Sequence, residues 1–325
     1  MKDIRYISAI KEALDEEMER DEKVFLIGED VGRAGGAFGA SRGLFEKYGS
    51  KRVVDTPISE AGFTSVAAGA ASCGLRPVVE IMFMDFVTCA MDSIVNQIAK
   101  MRYMFGNQYP MPIVIRMPEG AGLNAGPQHS QCLEAWFAHV PGLKVVMAAN
   151  PYDAKGLLKS SIRDDNPVIF IENKTLHAMR GQIPEEEYLI PLGEADIKRE
   201  GNDVTVVGVS RMVNESLRAA EVLEKEGIST EVIDLRTAQP WDKETVYQSV
   251  GKTHRLVVVH EAVKQFGIGA EISAAVTEEM FDELDAPIIR VGAPFSPIHY
   301  SLEKAYVPSA EGIAKAVKTA LERTL

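Results

Sequence analysis

The 325-residue chain has few cysteines, no excess of basic residues and no long apolar run, and each shortage removes a class of protein. Three cysteines, Cys73, Cys89 and Cys132, are too few and too scattered for a disulfide framework or a zinc site. They read as reduced thiols. Together with an N-terminus (Met1-Lys2-Asp3-Ile4-Arg5) that lacks an apolar h-region, they suggest a cytoplasmic protein. Acidic residues outnumber basic ones, 47 to 35, for a net charge of −12. That balance excludes sequence-independent nucleic-acid binding, which needs a basic footprint, and an anionic membrane surface as partner. Apolar runs are strand-sized, so no transmembrane helix is expected. Also missing are dinucleotide and P-loop glycine spacings, a Ser-His-Asp set in a nucleophile elbow, and a Gly-Asp-Gly followed by Asn, the kind of motif that holds a diphosphate and its metal ion.

Hydrophobic residues at 46% and charged residues at 25% are the mix of a soluble globular chain, long enough for two ordinary domains. Short β-branched runs alternate with helix-length segments. Strands are expected at Val24–Ile27, Arg52–Asp55, Pro77–Phe83, Pro112–Met117, Lys144–Met147 and Pro167–Ile171, with helices at Tyr6–Arg20, Ala61–Cys73, Phe86–Tyr103 and Tyr152–Arg163. Apolar runs that do not alternate with polar residues suggest strands buried on both faces, hence a parallel sheet. The stretch Thr175–Arg199, with Pro184, Glu185-Glu186-Glu187 and Pro191, lacks a strong period and reads as a linker. A second set follows, with strands at Val204–Val209, Thr230–Leu235, Arg255–His260 and Pro287–Val291. The fold class is therefore α/β, with two consecutive parallel-sheet domains: residues 1–178 and 201–325, joined by a linker over 179–200.

Three constellations stand out. In Asp55-Thr56-Pro57-Ile58-Ser59-Glu60, Pro57 stops a strand and Glu60 opens an Ala/Gly-rich helix, with Ser59 as N-cap candidate. Ligands of open α/β sheets bind at such strand ends, yet Glu60 fits equally as a first-turn acid favoured by the helix dipole. In Gln128-His129-Ser130-Gln131, a histidine follows a long, flexible Gly/Pro-containing loop, Gly120–Pro127. It is either a proton-exchanging group or a solvent-facing loop residue. The glycines of Gly28-Glu29-Asp30-Val31-Gly32 and Gly35–Gly39 either cradle a phosphate or form a surface turn.

These motifs occur in an order that resembles a known family. Gly28–Gly32, Asp55–Glu60, Gly74-Leu75-Arg76-Pro77, Arg102-Tyr103-Met104-Phe105-Gly106, Gln128–Gln131, Pro141–Val146 and Asp153–Leu158 look like the E1 β subunits of pyruvate, branched-chain 2-oxo acid and acetoin dehydrogenases. The resemblance covers nearly the whole chain. It implies a pyrimidine-binding domain followed by a transketolase C-terminal-type domain. It further implies thiamin diphosphate shared with an α subunit in an α2β2 heterotetramer, Mg²⁺ bound mainly by that α subunit, and a lipoyl-bearing E2 acyltransferase as acceptor of the acyl group from a small-molecule substrate. By motif, Glu60 bonds the aminopyrimidine ring, Glu29, Ile58, Met82 and Phe86 line its pocket, and His129 is the active-site histidine. A structural K⁺ held by backbone carbonyls corresponds to Ile113, Ser161, Asp164 and Asn166. Asn107 stands where a glycine is common, and Cys132 where a serine is frequent. The segments Tyr188–Ile197 and Pro294–Pro297 look slightly more like acetoin dehydrogenases. The alternative within thiamin enzymes is one half of a split transketolase-type ketol transferase.

Overall fold

The computed structural model describes residues 1–323; Thr324 and Leu325, the end of the expected second domain, lie outside the described residues. The chain folds as two α/β domains built on largely parallel sheets. The first contains β1 (Lys2–Arg5), β2 (Val24–Gly28), β3 (Val53–Asp55), β4 (Arg76–Glu80), β5 (Val114–Glu119), β6 (Lys144–Met147), β7 (Val168–Asn173) and β8 (Arg180–Ile183). The second contains β9 (Asp196–Arg199), β10 (Val204–Gly208), β11 (Thr230–Asp234), β12 (Thr237–Gln239), β13 (Leu256–Val263) and β14 (Ile289–Ala293).

The seven-stranded sheet runs β12-β6-β7-β5-β4-β2-β3, and the five-stranded sheet β14-β13-β10-β11-β9. Strands β2, β5 and β7 are buried residue after residue, because helices cover both faces. On one face the helix Tyr6–Arg20 packs Ile10, Leu14 and Met18 against the helix Pro151–Arg163. On the other, the helix Glu60–Ser72 buries Phe63, Ala67, Ala68 and Ala71. Its alanines keep the helix close to the sheet and favour helix intrinsically.

The stretch 179–200 is not a structureless connector. β8 pairs antiparallel with β1, and β9 adds an antiparallel edge to the second sheet. Four-residue edge strands with one exposed face carry too short a pattern for periodicity to reveal. The single helix expected over Phe86–Tyr103 is three pieces: a 3-10 segment Met84–Ala90, a π-helical segment Ser93–Ile98 and an α-helix Ala99–Met104. Ser93 Oγ lies 2.7 Å from Ser65 Oγ and donates to the Ala61 carbonyl at 3.3 Å, which ties the π segment to the helix that begins at Glu60. Widened turns of this kind are frequent beside functional sites.

The domains are locked together. β12 comes from the second domain but pairs with β6 of the first sheet. Beneath that joint, buried Asp153 accepts from Arg236 Nε at 3.0 Å, from Arg236 Nη2 at 2.7 Å and from Lys198 Nζ at 2.9 Å.

Candidate active site

Parallel strands present all their C-terminal ends along one edge. β2 ends at Gly28, so Glu29 leaves there; β3 ends five residues before Glu60; β4 leads to Met82 and Phe86; and the loop after β5 carries His129. The chain passes from β2 to β3 on one side, while β4 lies on the other. This reversal is the crevice where open α/β sheets bind ligands, and the expected groups surround it.

Glu60 is the first residue of its helix and only 8% exposed. Ser59 occupies the N-cap position but makes no side-chain cap bond, contrary to expectation. Glu29 is buried, and its Oε1 has no hydrogen-bond partner among the described residues. Burial raises the Glu29 pKa, the nearby Glu60 charge raises it further, and the Ser59 backbone N–H offsets this in part. Ile58, beside this pair of acids, is 85% exposed, so the site opens to the outside of the chain. The glycine loop after Glu29 is a turn and not a phosphate cradle. Its N–H groups are spent internally, Gly36 on the Asp30 carbonyl at 2.8 Å and Gly32 on Asp55 Oδ1 at 2.6 Å.

The His129 ring is half-buried and meets Phe83 and Phe86 edge to face, with centroids 4.8 and 5.3 Å apart. Met82 is half-buried next to them. Phe83 and Lys174 were missed in the sequence. Lys174 donates to the His129 carbonyl, and its ammonium sits 5.4 Å from the Phe83 ring centroid. Burial lowers the Lys174 pKa. The polar triplet Glu172-Asn173-Lys174 at the end of a buried strand was the available signal.

Ile113, Ser161, Asp164 and Asn166 collect at the opposite edge of the sheet, before β5 and β7 and at the end of the helix Pro151–Arg163. Three of their carbonyls already accept one bond: Ile113 from Val168 N–H at 2.9 Å, Ser161 from Asp164 N–H at 3.3 Å, and Asp164 from Arg76 Nη1 at 3.1 Å. Each keeps a second lone pair.

Behind the His129 loop, Glu119, Glu134 and Glu261 are buried together, and Lys174 is the cation that acts on both Glu119 and Glu261. Burial, together with the charge of Glu261, pushes Glu134 up to about 7. A carboxyl whose pKa is raised by folding stabilises the fold when protonated. That contribution is complete below the unfolded value near 4.5 and is lost as pH rises through 7. Glu134→Gln is therefore expected to gain roughly 2–3 kcal/mol relative to the parent between pH 4.5 and 8. Denaturant midpoints across that range check it, and parallel pH profiles for the two proteins would refute it. A cleft of about 1340 Å³ lies beside Glu261 between the domains, and none of the expected cofactor residues lines it.

Residues 2–179 match the family described as "Transketolase, pyrimidine binding domain", and residues 193–313 "Transketolase, C-terminal domain". The chain is 48% identical to a rice (Oryza sativa subsp. japonica) "Pyruvate dehydrogenase E1 component subunit beta-2, mitochondrial", covering 100% of this chain and 88% of that one. The human mitochondrial β subunit is 49% identical, over 96% and 89%. The chain belongs to the E1 β-subunit family. A solved "Split gene transketolase, inactive beta4 tetramer" superposes with a TM-score of 0.83 over 99% of both chains at 23% identity, which shows that this E1 β chain has the transketolase fold. The expectation of a cytoplasmic location is corrected by these relatives: they are mitochondrial by name, and thiol usage does not distinguish the two compartments.

Proposed function

We propose that this chain is the β half of a thiamin-diphosphate-dependent E1 enzyme that cleaves a 2-oxo acid and passes the acyl unit to the lipoyl group of an E2 acyltransferase. The pyruvate dehydrogenase names of the relatives make pyruvate the first substrate, ahead of branched-chain acids and acetoin. One observation carries the reading. Two buried acids, one with an unpartnered oxygen, face an open crevice at the sheet's switch point. A ring with donor groups fits there: Glu60 would take its nitrogen edge, and Glu29, Ile58, Met82 and Phe86 would line it.

Bound thiamin diphosphate supplies a nucleophilic carbon and an electron sink for C–C cleavage. The chain's own residues do the rest. Glu60 would offer its carboxylate oxygens to the donor groups of the ring, with the half-buried Met82 and Phe86 as apolar lining. The His129 ring nitrogens make no hydrogen bond to any described residue, so they are free to give or take a proton. Ile58 beside the acids, Val66 on the helix that begins at Glu60, and Tyr103 and Met104 at the end of the Ala99–Met104 helix are exposed apolar side chains that an α subunit would cover in an α2β2 tetramer. Mg²⁺ is assigned mainly to that α subunit. K⁺ at Ile113, Ser161, Asp164 and Asn166 would lie a strand length from the reacting groups and act only on the fold.

The test is co-expression with the α partner, followed by CO₂ release from pyruvate, branched 2-oxo acids and acetoin cleavage with thiamin diphosphate and Mg²⁺, with and without K⁺. Pyruvate decarboxylation by the pair and none by the isolated chain is the expected result. Two-carbon ketol transfer without decarboxylation would replace the reading with a split transketolase.

A further inference from the structure

The loop Gly120–Gln131 places His129, and its shape is imposed from the other domain. Backbone φ is positive at alternate residues: Gly120 (89°), Gly122 (123°), Asn124 (55°) and Gly126 (80°). Only glycine, and to a lesser degree asparagine, adopts such angles without steric cost. The alternation turns successive N–H groups toward one side and makes a concave anion-binding backbone. In an isolated chain those donors would need water. Here they meet one carboxylate. Glu303, 1% exposed, accepts from Gly122 N–H at 2.6 Å and Asn124 N–H at 2.8 Å through Oε2, and from Gly126 N–H at 3.3 Å through Oε1. Ser130 Oγ adds a longer contact at 3.4 Å.

We propose that Glu303 is a positioning residue for His129: its carboxylate holds the loop in the one conformation that presents the imidazole to the crevice. The connection is short. Gly126, bound to Glu303 through its N–H, accepts from His129 N–H through its carbonyl at 3.3 Å. Glu261 accepts from Ala121 N–H at 2.7 Å, Asp85 from Gln131 Nε2 at 2.8 Å, and Lys174 donates to the His129 carbonyl, so both ends of the loop are fixed as well. Burial favours the neutral acid at Glu303, but the backbone donors outweigh it and hold the carboxyl below its ordinary value, so the charge the loop requires is present at neutral pH. The switch-point crevice of the second sheet, outside β10 and β13, is where a doubly wound domain would receive a ligand. Here it receives the first domain's loop. Carboxylates of the second domain thus hold a loop whose sequence shows only glycines and a proline as turn signals. Glu303 lies more than 170 residues away in the chain, so no local pattern announces it.

The kinetic part of this proposal rests on the function proposed above; the structural part does not. In the assembled αβ enzyme, Glu303→Gln is expected to lower kcat about 10²-fold, the cost of misplacing a reacting group by an ångström or so. Thiamin diphosphate affinity, which depends on Glu60 and Glu29, should stay within a few-fold. Because Glu303 acts through His129, adding Glu303→Gln to His129→Ala should cost little more than His129→Ala alone. Full multiplication of the two losses would overturn the proposal. Hydrogen exchange on the unsubstituted complex needs neither activity nor a folded variant. The amides of Gly122 and Asn124 should be strongly protected although both residues are exposed, and exchange at the rate of open-loop amides would also overturn it. An inactive parent complex with protected amides would count against the proposed function and leave the clamp standing.

Discussion

Glu60→Gln in the assembled αβ enzyme is expected to lower kcat by roughly 10²–10⁴-fold, the range for removing a general acid–base partner. The substitution keeps the volume and the hydrogen-bonding reach. It changes two things: the negative charge disappears, and one acceptor oxygen becomes a donor NH₂. The fold should tolerate this. Losing a first-turn acid costs about 0.3–1 kcal/mol of helix-dipole interaction, while the neighbouring Glu29 is relieved of the repulsion that raises its pKa. Stability within about 1 kcal/mol of the parent, together with a collapse of turnover, is therefore the diagnostic combination. A rate within a few-fold of the parent would mean that Glu60 is only the helix-start acid that its local pattern also allows. Titration of Glu29 offers an independent check, because its pKa should move toward the ordinary glutamate value in Glu60→Gln.

Asp153→Ala is expected to destabilise the chain by about 3–5 kcal/mol, the cost of leaving a buried ion cluster unbalanced. Asp153 is fully buried and takes two bonds from Arg236 and one from Lys198, which come from the second domain. Removing it strands two cations near the joint where β12 enters the first sheet. Asp234 and Asp196 remain, but Asp234 is held well above the ordinary carboxylate range by burial and by Asp153 itself. Its pKa should therefore fall in the variant, and the stability loss should be partly recovered at higher pH. A drop in apparent melting temperature of roughly 10 °C follows. A loss below about 1 kcal/mol would show that Arg236 and Lys198 find water or other acids instead.

Much of the architecture is legible from local pattern. The helix Tyr6–Arg20 and the strand Lys144–Met147 have the bounds their periodicity predicts. Continuous apolar runs announce strands covered on both faces, and those runs determine that the sheet is parallel. Elements with weak or mixed patterns were not legible. β1 and β8 gain their stability from each other across most of the first domain, and β12 belongs by chain to one domain and by hydrogen bonds to the other. The π-helical segment Ser93–Ile98 depends on contacts with the helix Glu60–Ser72 that no window of residues contains.

The site divides in the same way. Local pattern singled out Glu60 and His129, each behind a strand end, while Glu29, Ile58, Met82 and Phe86 came from the order of motifs shared with the E1 β-subunit family. Also from sequence came the net charge of −12, which excludes polyanionic partners. Only the tertiary structure decided the environment of each group. It paired Glu29 with Glu60 across a crevice, packed His129 on Phe83 and Phe86, and brought Glu303 to the loop that carries the histidine. The physical reason is that a carboxylate's charge state and a loop's conformation depend on what is packed within a few ångströms, and in this fold those neighbours come from distant parts of the chain.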